Sequence, residues 1–301
     1  MANETFIERT DYNNVITIKL VLPVLCNYNC KFCYNRDKKV PMMDKQQFLD
    51  NFIPSLDDLI SKIGNQNPIS LDITGGEPTL DVALFRAVMR RLKDFDISSK
   101  VCRVTLTTNG TQLRELASSM AGVVNYVNIS VHDYREKARE WIVNSTNVMN
   151  YGELLHIISD LRYHGITASA TAVIYKNRPF FNVWRDEFIS WAKTLGFVAV
   201  RFRCDVFWQQ SEVFDKYLLD AVNDPKFQVL VHEQTPDSHW CRLRMADKFR
   251  VFFLHGVLDT SQHTKGIEYV IDSDGHCYCD YYRRTPIEKY EYPIGKIFDR
   301  V

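Results

Sequence analysis

The sequence has no surplus of charge, no long apolar run and no secretion signal. Lys plus Arg and Asp plus Glu each number 37, so the formal net charge is zero. Proteins that bind duplex nucleic acid or an anionic membrane usually carry a basic excess, so the balance argues against both partners. No segment approaches the roughly 18 consecutive apolar residues of a membrane span. Residues 1–14 lack the basic start and apolar run of a signal peptide, so the sequence predicts a cytoplasmic protein.

Cysteine is the residue type that stands out, with eight in the chain. In a reducing compartment, clustered cysteines are more often metal ligands or catalytic groups than disulfides. Cys26, Cys30 and Cys33 fall in one short segment after a predicted strand. Three thiolates at this spacing suit three irons of a [4Fe–4S] cluster, whose fourth iron is then open to a substrate or cofactor. A zinc site with a distant fourth ligand and three incidental thiols are the alternatives.

Strand-like and helix-like segments alternate six times before residue 204, which predicts a mostly parallel α/β sheet. The predicted strands are 15–22, 69–73, 101–107, 126–131, 167–174 and 199–203. The predicted helices are 45–62, 82–95, 112–120, 151–163 and 180–195. Six units fall short of a closed eight-stranded barrel, so we expect a partial, open (β/α)6 barrel, with a flat doubly wound sheet as the alternative.

The chain divides into three predicted parts. A short extension over 1–14 precedes the partial barrel, which covers 15–204. Residues 205–301 show a helix near 213–222, short strands near 249–254 and 267–271, and a hairpin turn signal at Asp274–Gly275. This pattern predicts a small α+β C-terminal module.

Side chains alternate along the predicted strands, with one apolar and one polar face. The polar face carries Arg103, Arg201 and Arg203, with Asp72 as the obvious counter-charge. If helices cover the apolar face, the polar face lines the barrel interior; a sheet with one solvated face is the alternative. Guanidinium groups suit carboxylates and phosphates, so these arginines predict a small anionic substrate, unless Arg203 is merely solvated.

Two motifs identify a family resemblance. Cys26-Asn-Tyr-Asn-Cys30-Lys-Phe-Cys33 follows the first predicted strand, and Thr74-Gly-Gly-Glu-Pro78 follows the second. Together they resemble the CxxxCxxC and GGEP motifs of the radical SAM superfamily. The resemblance covers about 15–204 and implies reductive cleavage of S-adenosylmethionine (SAM) at a [4Fe–4S] cluster. The resulting 5′-deoxyadenosyl radical would abstract hydrogen from a substrate, with an electron supplied by a donor such as flavodoxin or ferredoxin.

The resemblance also assigns roles to individual residues. Cys26, Cys30 and Cys33 would ligate the cluster, and Phe32 would lie against the adenine of SAM. The loop expected to approach the methionine amino group of SAM consists of Gly75, Gly76 and Glu77. The ends of the third and fourth strands are expected to contact the ribose and the methionine carboxylate, through Thr108, Asn109, Ser130 and His132. Asn109 as part of a plain turn and His132 as a packed or capping side chain are the alternatives.

The C-terminal module resembles the twitch and SPASM extensions of radical SAM enzymes. The full SPASM pattern needs more cysteines than this module has. A second [4Fe–4S] cluster would use Cys241, Cys277 and Cys279, with Cys204, Asp280 or a substrate as fourth ligand; a module without a cluster is the alternative. Cys204 is also a candidate thiol hydrogen donor in catalysis or a core residue.

The substrate class stays open at this point. A small polar or anionic molecule, such as a nucleotide, sugar or carboxylic acid, is the main hypothesis. Maturation of a ribosomally made peptide is the second. An iron–sulfur electron carrier or regulator is the alternative outside SAM chemistry, but such a protein has no use for the loop at 75–78.

Overall fold

The computed structural model describes residues 15–33, 44–64, 68–205, 208–235, 238–256 and 268–278. The first six strands are β1 (Ile16–Leu22), β2 (Ile69–Gly75), β3 (Arg103–Thr108), β4 (Tyr126–Ser130), β5 (Thr167–Ile174) and β6 (Ala199–Cys204). The helices are α1 (Lys45–Ile63), α2 (Val82–Asp94), α3 (Ile97–Lys100), α4 (Leu113–Met120), α5 (Glu136–Val143), α6 (Tyr151–Tyr163), α7 (Phe181–Leu195) and α8 (Glu212–Val222). No helix in these ranges is long and apolar enough to cross a membrane.

The strands form one eleven-stranded sheet in the order β11-β10-β1-β2-β3-β4-β5-β6-β9-β8-β7. Strands β1 to β6 pair in parallel with their neighbours, as predicted. The later strands are β7 (Gln228–Thr235), β8 (Ser238–Arg244), β9 (Arg250–Gly256), β10 (Glu268–Ile271) and β11 (Cys277–Tyr278). Strand β9 continues the parallel sheet beside β6, and β10 continues it beside β1. The C-terminal segment therefore extends the barrel sheet at both of its edges.

The two faces of the sheet differ in polarity, as the alternation predicts. Ile18, Leu71 and Leu106 are fully buried within the apolar core that the helices cover. On the other face, Thr17 Oγ1 lies 3.3 Å from Ser70 Oγ. Hydrogen bonds between polar side chains satisfy groups that the sheet removes from water. The layer of helices thus packs on one face, and the other face carries polar side chains.

Local signals explain where the elements begin and end. Helix α6 starts with a capping box, in which Asn150 and Glu153 each bond the other's backbone amide. Gly196 caps the C-terminus of helix α7, and its φ of 92° suits glycine. The predicted Asp274–Gly275 turn joins β10 to β11, and Gly275 O accepts a 2.6 Å bond from Ser55 Oγ of α1. This bond fixes the C-terminal hairpin to the barrel.

Candidate functional site

The candidate site lies where β1, β2, β3 and β4 end, because parallel strands bring their carboxyl ends to one edge. The loop after β1, residues 23–33, carries Cys26, which is exposed, and Cys30 and Cys33, which are half-buried. Two backbone bonds fasten this loop to the end of α5: Asn29 N donates to Val143 O at 3.0 Å, and Lys31 N donates to Ile142 O at 3.1 Å. We call residues 23–33 the cysteine loop.

Two glycines at the end of β2 are required because the backbone of β1 and of the cysteine loop lies against them. A Cβ on Gly76 would lie 2.6 Å from Val24 O and 2.7 Å from Leu25 C. Gly75 has a φ of +151°, and a Cβ there would lie 2.9 Å from Leu22 O. The next residue, Glu77, donates its backbone N–H to Leu25 O at 2.9 Å. The loop at 75–78 therefore packs backbone to backbone on the chain that leads into Cys26.

Glu77 is a buried carboxylate, 1% exposed, that fastens the second motif to the end of β3. It accepts hydrogen bonds from Thr108 Oγ1 at 2.5 Å, from Asn109 N at 2.6 Å and from Thr79 N at 3.1 Å, and also from the Thr79 hydroxyl. Burial raises the pKa of Glu77 above its ordinary value, and these donors oppose that shift. Sequence reasoning expected this carboxylate at the amino group of SAM, whereas its observed partners are protein donors that hold the loop.

An amide pair connects the cysteine loop to the same strand end. Asn109 Nδ2 donates to Asn27 Oδ1 at 2.7 Å, and Asn27 Nδ2 donates to Thr111 Oγ1 at 3.0 Å. Asn109 is therefore more than part of a turn, because its side chain bridges two motifs. Sequence reasoning missed Asn27 and Thr111. The only signal for Asn27 was its position inside the cysteine motif.

Phe32 packs against His132, and the histidine is enclosed. Their ring centroids lie 4.7 Å apart in an edge-to-face arrangement, and Tyr175 lies 5.6 Å from Phe32. His132 is 4% exposed, has a φ of 69°, and accepts the Val173 N–H at Nδ1, 3.3 Å away. Burial lowers the pKa of His132 to about 3, so the ring is neutral at physiological pH. Its surroundings match the packed histidine that sequence reasoning left as an alternative.

Ser130, at the end of β4, faces a small pocket beside the strand ends. The pocket is also lined by Tyr28, Asn109, Arg139 and Met149. The guanidinium of Arg139 in α5 donates to three backbone carbonyls, one of them Met149 O at 2.7 Å. Its hydrogen bonds are therefore used within the protein. Ser130 and Asn109 thus line the same pocket, and their contact with SAM stays a prediction.

The three arginines of the polar face lie at different positions along their strands. Arg103 is the first residue of β3, at the opposite end from Thr108. The Arg201 guanidinium lies 4.5 Å from the Phe252 ring and 5.4 Å from the Tyr126 ring. Arg203 is exposed, one residue before the end of β6. Arg203 is therefore the nearest of the three to the motif edge along its strand, and Arg103 is the farthest.

Comparison with known proteins decides the family. Residues 20–179, more than half of the chain, match the model of the Radical SAM superfamily. The chain belongs to the radical SAM superfamily. Members of this family use a [4Fe–4S] cluster and SAM. The partial-barrel fold expected from the motifs is confirmed.

Similar radical SAM proteins include GTP 3',8-cyclases. The GTP 3',8-cyclase of Aquifex aeolicus is 29% identical over 191 residues, which are 62% of this chain and 55% of the cyclase. The probable GTP 3',8-cyclase of Thermococcus kodakarensis is 29% identical over 122 residues, 40% of this chain and 36% of that protein. The chain thus spans about half the length of these relatives, or less.

Among solved structures, Streptococcus suis SuiB has a similar fold. It is 11% identical, with a TM-score of 0.56, and the match covers 89% of this chain and 61% of SuiB.

The donor chemistry of the cysteine loop fits the cluster that the family uses. Thiolates are the ligands of [4Fe–4S] clusters, and each cysteine binds a different iron, so the sulfurs need not converge on one point. Among the described residues, no three His, Cys, Asp or Glu side chains gather around a single metal ion. The sulfurs of Cys26, Cys30 and Cys33 are thus not gathered around one point in the described structure. Their assignment to three irons stays a prediction.

The structure does not bring together Cys241 and Cys277, the two cysteines of the C-terminal module that it describes. Cys241 in β8 is fully buried, and burial raises its thiol pKa to about 12. Cys277 is in β11, which is far from β8 in the strand order, and its thiol donates to Ser55 O of α1 at 3.4 Å. Cys279 and Asp280 lie outside the described residues. The described thiols thus offer no shared cluster site.

Cys204 lies in the packed layer of β6 rather than on its polar face. It is 7% exposed and alternates with Arg201 and Arg203, so it shares the helix-facing side with Phe202. Its thiol donates to Asp205 O at 3.5 Å, and burial raises its pKa to about 12. Of the three roles weighed from the sequence, the core residue is the one that matches these surroundings.

His132 makes stability depend on pH in a predictable direction. Because its folded pKa is about 3, the unfolded chain binds a proton first as pH falls below 6.5, and folding weakens. The free energy of unfolding is lower by about 2 kcal/mol at pH 5 for this reason. His132→Asn keeps a residue that tolerates the positive φ but does not titrate. Urea unfolding measures the free energy of unfolding at pH 7.5 and at pH 5. Between these two pH values, we expect this free energy to fall by about 2 kcal/mol less in His132→Asn than in the wild type. Equal losses in the two proteins would contradict the prediction.

Proposed function

We propose that the chain is an enzyme that cleaves SAM reductively at a [4Fe–4S] cluster held by Cys26, Cys30 and Cys33. When bound, the cluster supplies the electron that breaks a carbon–sulfur bond of SAM. The observation that carries the proposal is the close backbone packing of Gly76 on the cysteine loop, next to the packing of Gly75 on the last residue of β1. An electron carrier needs thiolates but has no use for a second loop built against them.

The side chains of the site position and enclose the reactants. Glu77, Asn109 and Asn27 tie three loops into one unit, so the cysteines have fixed neighbours before any ligand binds. Phe32 and Tyr175 offer aromatic surface at the edge of the cysteine loop. Preorganised surroundings of this kind exclude water, which protects a reactive radical from side reactions.

We propose a small anionic molecule, such as a nucleotide or a carboxylic acid, as the substrate. Arg201 and Arg203 on the polar face of β6 support this class, because guanidinium groups bind carboxylates and phosphates. The similarity to GTP 3',8-cyclases, whose name states a nucleotide substrate, points in the same direction. A peptide remains the second substrate to test, but no contact in the described residues favours it.

Production of 5′-deoxyadenosine tests the proposal. Anaerobically reconstituted protein is mixed with SAM and photoreduced 5-deazariboflavin, alone and with nucleoside triphosphates, carboxylic acids or peptides. We expect 5′-deoxyadenosine, with more of it when an anionic small molecule is present. A deuterated substrate should pass deuterium to the 5′-deoxyadenosine. An intact cluster without this product would favour the electron-carrier hypothesis.

A further inference from the structure

Two lysines share one exposed aromatic ring beside the cysteine loop. Lys31 Nζ lies 2.9 Å from the ring centroid of Trp141, and Lys176 Nζ lies 4.3 Å from it. Lys31 comes from the cysteine loop, Trp141 from α5 and Lys176 from the segment after β5. Trp141 is 51% exposed although it is a large apolar side chain. We call Lys31, Trp141 and Lys176 the lysine–tryptophan surface.

The positive charge of this surface is not balanced by the described residues. Neither Lys31 nor Lys176 forms an ion pair with any residue in the described ranges, so two ammonium groups stand over one indole. Nearby carboxylates have other partners: Asp133 binds Arg135 and Arg178, and Glu140 binds Lys137. Two like charges held this close repel each other, and an anionic partner would relieve that repulsion.

The position of the surface ties it to the cysteine loop. Lys31 lies in the sequence between Cys30 and Cys33. Its backbone N–H donates to Ile142 O, directly after Trp141. The lysine–tryptophan surface therefore includes the contact between the cysteine loop and α5. A molecule bound to this surface would lie next to the predicted cluster ligands. Leu25, 68% exposed and adjacent to Cys26, adds apolar area on the same loop.

We propose that the lysine–tryptophan surface docks a small acidic electron-transfer protein that reduces the cluster. The proposal rests on the proposed function, because it assumes a cluster on Cys26, Cys30 and Cys33. In the transfer, the donor protein loses one electron and the cluster gains it, with no bond made or broken. An exposed Trp flanked by cations is typical of a protein contact, since Trp is enriched at binding hot spots. Electron-transfer partners bury small, transient interfaces of this kind.

A charge-reversal variant tests the docking surface. Lys31→Glu/Lys176→Glu removes both cations, and the control Lys93→Glu/Lys248→Glu makes the same change of net charge with two exposed lysines elsewhere. The control lysines also lack ion pairs among the described residues. Lys93 lies at the end of α2 and Lys248 lies before β9, so both are at the end of the barrel away from the motifs.

Binding and turnover are measured with an acidic flavodoxin as the probe. Calorimetric titration of the cluster-containing protein should show an affinity at least about tenfold weaker for the charge-reversed variant, and salt should weaken wild-type binding. The rate of 5′-deoxyadenosine formation should fall with reduced flavodoxin but stay within about twofold with photoreduced 5-deazariboflavin, a neutral donor. The control variant should match the wild type in both assays.

Three results would overturn the docking proposal. Unchanged flavodoxin affinity would show that the surface does not bind the donor. Equal losses with both donors would mean that the lysines act on the site itself. Equally weakened flavodoxin binding in the control variant would show that the effect comes from net charge alone. If the wild type forms no 5′-deoxyadenosine with 5-deazariboflavin, the proposed function fails, whereas the titration still reports on docking.

Discussion

Replacing Cys30 with alanine is expected to abolish both the cluster and the formation of 5′-deoxyadenosine. A [4Fe–4S] cluster bound by three thiolates loses one of its three anchors, and the remaining two cannot hold it against exchange with solvent thiols. The neighbouring Lys31 and Phe32 keep the loop attached to α5 and His132, so the loss is one of ligation rather than of folding. Cys26→Ala and Cys33→Ala should behave alike.

Iron and sulfide analysis of anaerobically reconstituted protein is the measurement. We expect about four irons per wild-type chain and almost none in Cys30→Ala. Cys102→Ala is the matched control, because Cys102 is a half-buried thiol just before β3 and outside the cysteine loop. It should keep its iron and its activity. An iron content in Cys30→Ala equal to that of the control would remove this cysteine from the ligand set.

The same analysis tests the second cluster. The structure holds Cys241 in the core of β8 and Cys277 against α1, so we expect no further irons from this pair. About eight irons per chain would instead point to an auxiliary cluster with ligands outside the described residues.

Gly76→Ala is expected to cost about 3 kcal/mol of stability and to eliminate SAM cleavage. The added methyl group would lie 2.6 to 2.8 Å from backbone atoms of Val24 and Leu25, which real Cβ contacts do not allow. The chain before Cys26 would have to move, because the obstructing atoms are backbone and no flexible side chain can turn aside. Glu77 would then lose its backbone bond to Leu25 O.

Gly152→Ala is the matched control for this substitution. Gly152 lies in the first turn of α6, and an added Cβ there meets only the Asn150 Oδ1 side-chain atom at 3.4 Å. Alanine is the better helix former, so this variant should unfold at the same or a higher urea concentration. A Gly76→Ala protein as stable and active as Gly152→Ala would show that the close approach of the two loops is not required.

Periodic segments were predicted well from the sequence. Strand β5 and helix α6 begin and end at the predicted residues, because their apolar spacing is regular and α6 has a capping box. Helix α5 was missed because it is short and buries Arg139 where an apolar residue was expected. The β7–β8 hairpin was missed because its residues are largely polar, with His232 and His239 on facing strands.

The roles of individual polar residues were harder to predict. The family resemblance implies that Glu77 approaches SAM, and the structure adds that Thr79, Thr108 and Asn109 donate hydrogen bonds to its carboxylate. Sequence spacing cannot reveal this, because two of those partners come from the next strand and meet Glu77 only when β2 and β3 pair. Cys204 was likewise left between three roles until the alternation of β6 put it among core residues.

The sequence by itself determined the family and the chemistry of the predicted cluster ligands. The thiols of Cys26, Cys30 and Cys33 lie in one loop, and their spacing and softness are properties of the local chain. Only the tertiary structure decided what surrounds them. It brought Gly76 against Val24, and Lys31 and Lys176 to the ring of Trp141, from segments far apart in the chain. Such contacts depend on the order of strands in the sheet, and that order arises when the whole core packs.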